Sequence, residues 1–208
     1  MEEATRVLNK FFGKSPDESG RESPPADVDD RRLVETCLGG RADAFDVIVE
    51  RHQRAVYHLC LRFVRRHEDA ADLTQEVFLR AYRGLRRFRG DATLRTWLYR
   101  IGVNVCLNHV SVRRAQETPL DEAPQIPAAD EDAAASMLRT EQGARVRAAV
   151  ARLPRKQRAT LILRVYQDLS HREIAAALGT SVGAVKANFF HALGNLKKLL
   201  SEEAIERS

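Results

Sequence analysis

Residues 170–191 of this 208-residue chain read SHREIAAALGTSVGAVKANFFH. Ser170 and Glu173 stand three apart, the spacing of a helix capping box, and the apolar run after them ends at Gly179. Thr180-Ser181 then opens a longer second helix, in which Val182 and later apolar residues share one face. Two helices around a glycine turn predict a helix-turn-helix, whose second helix enters the DNA major groove. An ordinary helical hairpin has the same periodicity and stays open at this point.

The stretch lies in a basic C-terminal segment. Residues 143–208 carry a net charge of +7, and the second helix exposes small residues that let a backbone approach a groove closely. Two further helices are predicted before it, over 137–153 and 154–167, with Pro154 in a first helical turn, which accepts proline. The charge and the small exposed residues favour DNA binding over the simple hairpin.

The N-terminal half predicts four more helices. A short one over 31–38 ends at Gly39-Gly40, a good terminator. Apolar residues then recur at spacings of three and four in three stretches, 44–63, 70–85 and 97–114. No alternating apolar run or hairpin turn signal is found. The predicted fold class is therefore all-α, with two small helical domains joined by a flexible linker.

The net charge of +5 is unevenly distributed along the chain. Residues 1–30 carry −4, residues 31–114 carry +8, and residues 115–142 carry −6. The acidic segments contain prolines and few large apolar residues, a composition typical of disordered chain. The predicted organisation is an N-terminal extension over 1–30, a domain over 31–114, a linker over 115–136, a domain over 137–202 and a tail over 203–208. Two basic modules indicate a polyanionic partner.

Several classes of protein are excluded by the sequence. No apolar stretch approaches the length of a membrane span, and Met1 is not followed by a basic and apolar leader. Three distant cysteines do not form a disulfide framework, and Cys106 and His109 form a single Cys-x-x-His pair without a second pair at zinc spacing. No phosphate-binding loop or nucleophile elbow is present. We therefore expect no enzyme activity, no metal, no cofactor and no small-molecule substrate.

Two sets of motifs resemble bacterial extracytoplasmic-function sigma factors. EDAADLTQEVF at 68–78, FRGD at 88–91 and TWLYRI at 96–101 are similar to region 2 of that family. LPRKQR at 153–158, LSHREIA at 169–175 and VGAVK at 182–186 are similar to region 4. The resemblance implies a factor that binds core RNA polymerase and directs promoter-specific initiation. Region 4 would recognise the −35 element, and region 2 would read and melt the −10 element.

An acidic stripe adjoins an arginine-rich segment in region 2. Glu68, Asp72 and Glu76 lie four apart on a predicted helix, while residues 80–114 hold nine arginines and one aspartate. Opposite charges side by side indicate two partners, although most charge runs are solvated faces. In the family this helix docks on the coiled coil of the largest polymerase subunit. The resemblance implies core-polymerase binding by Asp69, Asp72, Leu73, Gln75, Glu76 and Phe78. Leu73 and Phe78 also fit a place in the core.

The resemblance identifies 86–93 as the loop that captures a flipped base of the −10 element. Strand opening requires neutralised phosphates and an unpaired base held by stacking and edge contacts. The implied −10 contacts are Arg86, Arg87, Phe88, Arg89, Asp91, Thr93, Arg95, Trp97, Arg100, Asn104, Asn108, Arg113 and Arg114. Trp97 equally fits core packing beside Leu98, and Asn104 fits a hydrogen bond within the fold.

Region 4 implies a second set of DNA contacts, to the −35 element. These are Ser170, His171, Arg172, Ser181, Gly183, Ala184, Lys186, Ala187, Asn188, Phe190 and His191. Asn188 and His191 stand where many relatives carry basic residues, so a weaker salt dependence is predicted for this helix than for the region-2 loop.

The resemblance also implies the partners: core RNA polymerase, promoter DNA and a cognate anti-sigma factor, met in the cytoplasm without membrane insertion. Two other functions stay open from the residues alone. A stand-alone helix-turn-helix transcriptional regulator would leave the acidic stripe without a partner. A helical protein-binding adaptor or decoy would leave the arginine-rich segment without one.

Overall fold

The structure is a computed structural model that describes residues 26–64, 66–116 and 133–205. Within those residues every regular element is helical, so the all-α prediction is confirmed. The N-terminal helices are α1 (Ala26–Leu38), α2 (Asp43–Val64), α3 (His67–Gly84), a 3-10 turn (Leu85–Arg87) and α4 (Leu94–Gln116). The C-terminal helices are α5 (Ala133–Arg152), α6 (Arg155–Tyr166), α7 (His171–Leu178) and α8 (Val182–Ile205).

The chain divides into two compact units, one around α1 to α4 and one around α5, α6 and α8. Most of the extension predicted over 1–30 and of the linker predicted over 115–136 lies outside the described residues, as does the end of the tail. No described helix is both long enough and apolar enough to cross a bilayer.

The N-terminal unit is a bundle of four helices around one apolar core. Helix α2 buries residues spaced three and four apart, because that spacing places them on one stripe. Facing them are the buried stripe of α3 and that of α4. The core side chains with almost no exposure include Ile48, Val56, Leu59, Phe63, Val77, Leu98, Tyr99 and Cys106. This bundle leaves the charged residues of α3 and of the turn after it on the surface.

Helix α1 begins five residues earlier than the sequence pattern predicts. The start was predicted at Arg31, but the helix runs from Ala26. Asp30 is only 2% exposed and accepts hydrogen bonds from His52 Nε2 at 2.9 Å and Arg51 Nη1 at 2.8 Å, both on α2. The prediction was wrong because the acidic composition of 27–30 resembles a solvated tail, whereas here these residues lie in the first turns of a helix, and Asp29 and Asp30 pair with side chains of α2.

The helix starts in the C-terminal unit agree with the predicted capping. The Ser170 amide donates to Glu173 Oε2 at 2.7 Å, and the Glu173 amide donates to Ser170 Oγ at 3.2 Å, which is the reciprocal capping box. Ser181 Oγ accepts the amide of Ala184 at 3.1 Å at the start of α8. Gly179 has φ +61 in the turn between α7 and α8, a conformation that glycine adopts without strain. Pro154 directly precedes α6 and does not lie in its first turn.

Candidate nucleic-acid interface

The acidic stripe lies on α3, and its members differ in accessibility. Asp72 and Gln75 are exposed, whereas Asp69 is half-buried and forms an ion pair with Arg113 of α4, Oδ2 to Nη1 at 2.6 Å. Glu76 forms an ion pair with Arg80 one turn later, Oε1 to Nε at 2.6 Å. The stripe is therefore partly neutralised within the unit, and its accessible charge lies on Asp72 and on Glu68, whose side chain is 88% exposed.

Leu73 and Phe78 belong to the core. They are 8% and 7% exposed and face the interior of the bundle with Ala70, Val77 and Ala81. Their side chains offer almost no surface to another protein. Of the two roles that the sequence allows for them, the structure supports packing.

The arginine-rich loop begins where α3 ends. The 3-10 turn Leu85–Arg87 buries Leu85 and leaves Arg86 and Arg87 exposed. Arg89 and Asp91 are exposed as well, and Gly90 between them has φ +75. The loop thus presents three guanidinium groups near a glycine whose backbone is in the left-handed region. This arrangement is suited to binding phosphates.

Thr93 and Trp97 have structural roles in this loop. Thr93 Oγ1 accepts the amide of Thr96 at 3.1 Å and donates to Thr96 Oγ1 at 2.9 Å, so it caps α4. Trp97 is half-buried and packs on Phe88, with ring centroids 5.4 Å apart and planes tilted by 56°. Its ring also lies against Gly84, where an added Cβ would be 3.7 Å away. Trp97 is therefore neither fully in the core nor free on the surface; it supports Phe88.

The predicted contacts on α4 are mostly exposed. Arg95, Arg100, Asn104 and Asn108 have exposed side chains. Arg95 Nε donates to the hydroxyl of the buried Tyr99 at 3.0 Å, and its guanidinium carbon lies 5.4 Å from that ring's centre. Arg113 is held by Asp69, and the side chain of Arg114 lies outside the described part of the chain. The prediction that these residues contact the −10 element stays a prediction.

The second candidate surface lies on α7 and α8. Val185, Phe189 and Leu196 are buried, as the predicted apolar face of α8 requires. The opposite side exposes Lys186, Ala187 and His191, together with Phe190, which at 70% is well exposed for so large an apolar side chain. Arg172 and Gly183 are exposed, Ala184 and Asn188 are half-exposed, and Ser170 and Ser181 are caps.

His171 sits beside cations at the start of α7. Burial lowers the pKa of its imidazole, and the positive charges of Arg164 and Lys186 lower the pKa further. Its ring meets Phe189 edge-on at 6.1 Å between centroids. His171 is therefore held in its neutral form over more of the physiological pH range than an ordinary histidine, which reduces the positive charge of this surface.

Cys106 and His109 are not part of a cluster of side chains that could bind a metal ion among the described residues. Cys106 is buried, and its thiol donates to Cys60, which lowers the pKa of the Cys60 thiol although burial works in the opposite direction. Within residues 26–64, 66–116 and 133–205, no three His, Cys, Asp or Glu side chains converge on a point where an ion could sit.

Two residues beside the loop were missed by the sequence reasoning. Asp30 and Arg31 line an open pocket of about 380 Å³ together with Phe88, Gly90 and Thr93. They were placed at the boundary between the acidic extension and the first domain. The doublet Asp29-Asp30 directly before a helical run is typical of a helix N-terminus and could have identified the earlier start.

A basic helix-turn-helix, together with a second unit that carries an arginine-rich loop and an acidic helix, defines a DNA-binding transcription factor of two domains. The description "Sigma-70 region 2" fits residues 48–116, and "Sigma-70, region 4" fits residues 143–196. The RNA polymerase sigma-H factor of Pseudomonas aeruginosa is 35% identical over 180 residues, 82% of this chain and 93% of that protein. The ECF RNA polymerase sigma factor SigM of Mycobacterium tuberculosis is 36% identical over 172 residues, 82% of this chain and 84% of that protein.

Solved structures share the fold. CnrH, solved in complex with the cytosolic domain of CnrY, matches with a TM-score of 0.62 at 28% identity, covering 84% of this chain and 98% of that one. The sigma factor RpoE of Bartonella quintana, solved with the anti-sigma factor NepR, matches with a TM-score of 0.58 at 20% identity. The chain belongs to the sigma-70 family, in its extracytoplasmic-function group, and is an RNA polymerase sigma factor. A stand-alone regulator and a protein-binding adaptor are not favoured.

Proposed function

We propose that three surfaces of this chain divide the work of a sigma factor. The exposed part of α3 binds core polymerase, the loop over 86–93 with α4 binds and opens the −10 element, and α7 with α8 binds the −35 duplex. The polymerase performs the chemistry, in the cytoplasm, and this chain supplies promoter selection and strand opening. The observation that carries the proposal is that the loop arginines and Asp72 are exposed on one small bundle, because such separate charges suit two different partners.

We infer a core-binding surface with fewer accessible side chains than the motif resemblance implies. Asp72 and Gln75 are exposed and Glu76 is half-exposed, so these three side chains can reach a partner. Asp69 contributes through its ion pair with Arg113, and Leu73 and Phe78 contribute by holding α3 against the core. Charged residues at the rim of an interface mainly set its association rate and its salt dependence.

The opening surface combines charge with an aromatic platform. Arg86, Arg87 and Arg89 can neutralise phosphates, and Phe88, supported by Trp97, offers a ring on which an unstacked base can pack. Asparagines 104 and 108, exposed on α4, are suited to adenine edges.

On α8, Lys186 supplies charge and Phe190 an apolar face suited to a thymine methyl group. A cognate anti-sigma factor is proposed to cover the same surfaces, since RpoE was solved with the anti-sigma factor NepR and CnrH with the cytosolic domain of CnrY.

The proposal is tested by adding the purified chain to core polymerase and measuring initiation on promoters with suitable −10 and −35 elements. Asp72→Arg should weaken core binding, and Arg86→Ala with Arg87→Ala should leave core binding intact while slowing strand opening. Lys198→Ala, which lies far along α8 beside Glu202, is the matched control and should change neither step. A chain that fails to bind core polymerase, or an Asp72→Arg variant that binds like the wild type, would overturn this assignment.

A further inference from the structure

A pocket of about 380 Å³ separates α1 from the arginine-rich loop, and both sides of it belong to the N-terminal unit. One wall is formed by Asp30 and Arg31 of α1. The other is formed by Phe88, Gly90 and Thr93 of the loop. Its volume lies at the lower end of the range of small-ligand sites, about 300–1,000 Å³. The loop thus lines an open, concave site together with the first helix.

Arg31 and Gly90 meet across this pocket. Arg31 Nη2 lies 3.5 Å from the Gly90 carbonyl oxygen, and a Cβ added at Gly90 would come within 2.7 Å of the same nitrogen. A side chain at position 90 would have to displace the flexible end of Arg31, and φ +75 would strain the backbone of any residue other than glycine. The bend of the loop therefore lies next to the exposed Arg31 side chain.

The backbone at Arg31 is held in place through the neighbouring residue. Asp30 is buried and bound to His52 and Arg51, so this turn of α1 is fastened to α2 at the residue before Arg31. Arg32, the next residue, is equally exposed and carries the same charge, but it does not line the pocket. A comparison of Arg31 with Arg32 therefore distinguishes the effect of a residue that lines the pocket from the effect of a positive charge alone.

The lining of the pocket suits an unstacked nucleobase. Single-stranded bases are recognised by stacking on aromatic rings and on planar guanidinium groups, and both are present in Phe88 and Arg31. A phosphate alone would not need the aromatic wall.

We propose that Arg31 is a positioning and specificity-determining residue of the −10 surface: helix α1 forms the second wall of the site that receives one unpaired base. This inference rests on the proposed function, in which the loop over 86–93 captures a base. It adds a residue that lies outside the motifs resembling region 2. It also implies that base capture depends on the packing of α1 against α2.

The test uses the full chain bound to core polymerase and fork-junction DNA with 2-aminopurine placed at successive positions of its single-stranded segment. With the wild type, aminopurine fluorescence should change sharply at one position. Arg31→Ala should abolish that change and weaken fork binding by about tenfold, the cost of one lost stacking contact. Arg32→Ala should keep the fluorescence change, while lowering affinity for fully paired DNA as much as Arg31→Ala does.

Arg31→Lys separates positioning from charge. It keeps the positive charge but loses the planar group. If Arg31 positions the loop, Arg31→Lys should show the salt dependence of the wild type and the weak base capture of Arg31→Ala. Wild-type base capture by Arg31→Lys, or equal behaviour of Arg31→Ala and Arg32→Ala on fork DNA, overturns the inference.

The loop variant Arg89→Ala distinguishes this failure from a failure of the proposed function. If Arg89→Ala loses base capture and Arg31→Ala does not, the inference about α1 is wrong, whereas base capture by the loop is still supported. If neither variant differs from the wild type, and the wild type gives no position-dependent signal, then base capture by the loop falls too.

Discussion

At the scale of single residues, Asp30 is the charge that fastens α1 to α2. Burial acts to raise the pKa of its carboxyl, but hydrogen bonds and charge from His52 and Arg51 outweigh burial, and the pKa is lowered from its ordinary value of 3.8. Removing one member of a buried ion pair lowers the free energy of unfolding by about 3–5 kcal/mol, and the partial exposure of Arg51 reduces this figure. The Asp30 carboxylate is therefore expected to contribute measurably to the stability of the N-terminal bundle.

We expect Asp30→Asn to lower the free energy of unfolding by about 2 kcal/mol at pH 7. A lowered carboxyl pKa stabilises the fold above the ordinary value and stops doing so as pH falls through the folded pKa, so the variant and the wild type should converge below pH 3.8. Urea unfolding over a pH series measures this. Asp29→Asn is the control, since its pair with Arg51 is 3.9 Å long and exposed. Equal losses for both variants would contradict the assignment.

His171 gives a second residue-scale prediction. Burial, Arg164 and Lys186 lower the pKa of its imidazole, so its NMR titration should have a midpoint below 6.5. Lys186→Gln should raise that midpoint, and Lys197→Gln, further along α8, should leave it unchanged. Because the unfolded chain takes up this proton at a higher pH than the folded chain, the histidine disfavours folding as pH falls below 6.5. A midpoint unaffected by Lys186→Gln would show that the lysine charge does not reach the ring.

At the scale of helices, α3 and α4 are joined by a contact between residues that the sequence assigned to different partners. Asp69 was expected to bind polymerase and Arg113 to bind DNA, yet they form an ion pair at 2.6 Å. Residues 44 apart in sequence meet only through the packing of the bundle, and neither periodicity nor motif spacing carries that information.

We expect Asp69→Asn to destabilise the protein by about 1 kcal/mol, more than Asp72→Asn, because only Asp69 has a half-buried ionic partner on α4. The exchange variant with Asp69→Arg and Arg113→Asp should recover part of the loss. Thermal unfolding of the four chains measures both effects. If Asp72→Asn costs as much as Asp69→Asn, the contact with Arg113 adds no stability.

Helix α8 should contribute little to the salt dependence of DNA binding. Of its exposed DNA-facing candidates only Lys186 carries a permanent positive charge, whereas the loop exposes Arg86, Arg87 and Arg89. Because log K falls as log salt rises, each phosphate contact removed reduces the magnitude of this negative slope by about one. Lys186→Ala should therefore reduce the slope by about one, and the triple loop variant by about two to three. Equal reductions for the two variants would refute this comparison, and Lys198→Ala again serves as the control.

At the scale of the whole molecule, the sequence predicted what depends on local pattern. Helix existence, the all-α class, the capping box at Ser170 and the opening of α8 at Ser181 follow from neighbouring residues, and they are confirmed. The start of α1 and the wall at Arg31 depend on which distant residues Asp30 and Arg31 meet, namely His52, Arg51 and Gly90. Composition cannot supply those pairings, so the acids at 27–30 were assigned to a tail.

An acidic segment can compete with DNA for the basic surfaces of the same chain. The reassignment of 27–30 to α1 changes which segment carries the charge for such competition. Residues 1–30 have a net charge of −4, but three of their acids lie at 27–30, within α1, so residues 1–25 carry only −1. Deleting 1–30 would remove Asp30 and disturb the bundle, so an informative truncation ends at residue 25. The segment 117–132, between α4 and α5, carries −6.

We therefore expect the linker acids, and not the N-terminal segment, to weaken DNA binding. Asp130→Asn, Glu131→Gln and Asp132→Asn together should raise promoter affinity about threefold at low salt, with the difference disappearing at high salt as charges are screened. Removal of residues 1–25 should leave affinity unchanged, because it alters the net charge by only one unit. Fluorescence anisotropy of the full chain and both variants with promoter DNA, over a salt series, measures the three affinities. A linker variant that binds like the wild type at every salt concentration would rule out electrostatic competition by this segment.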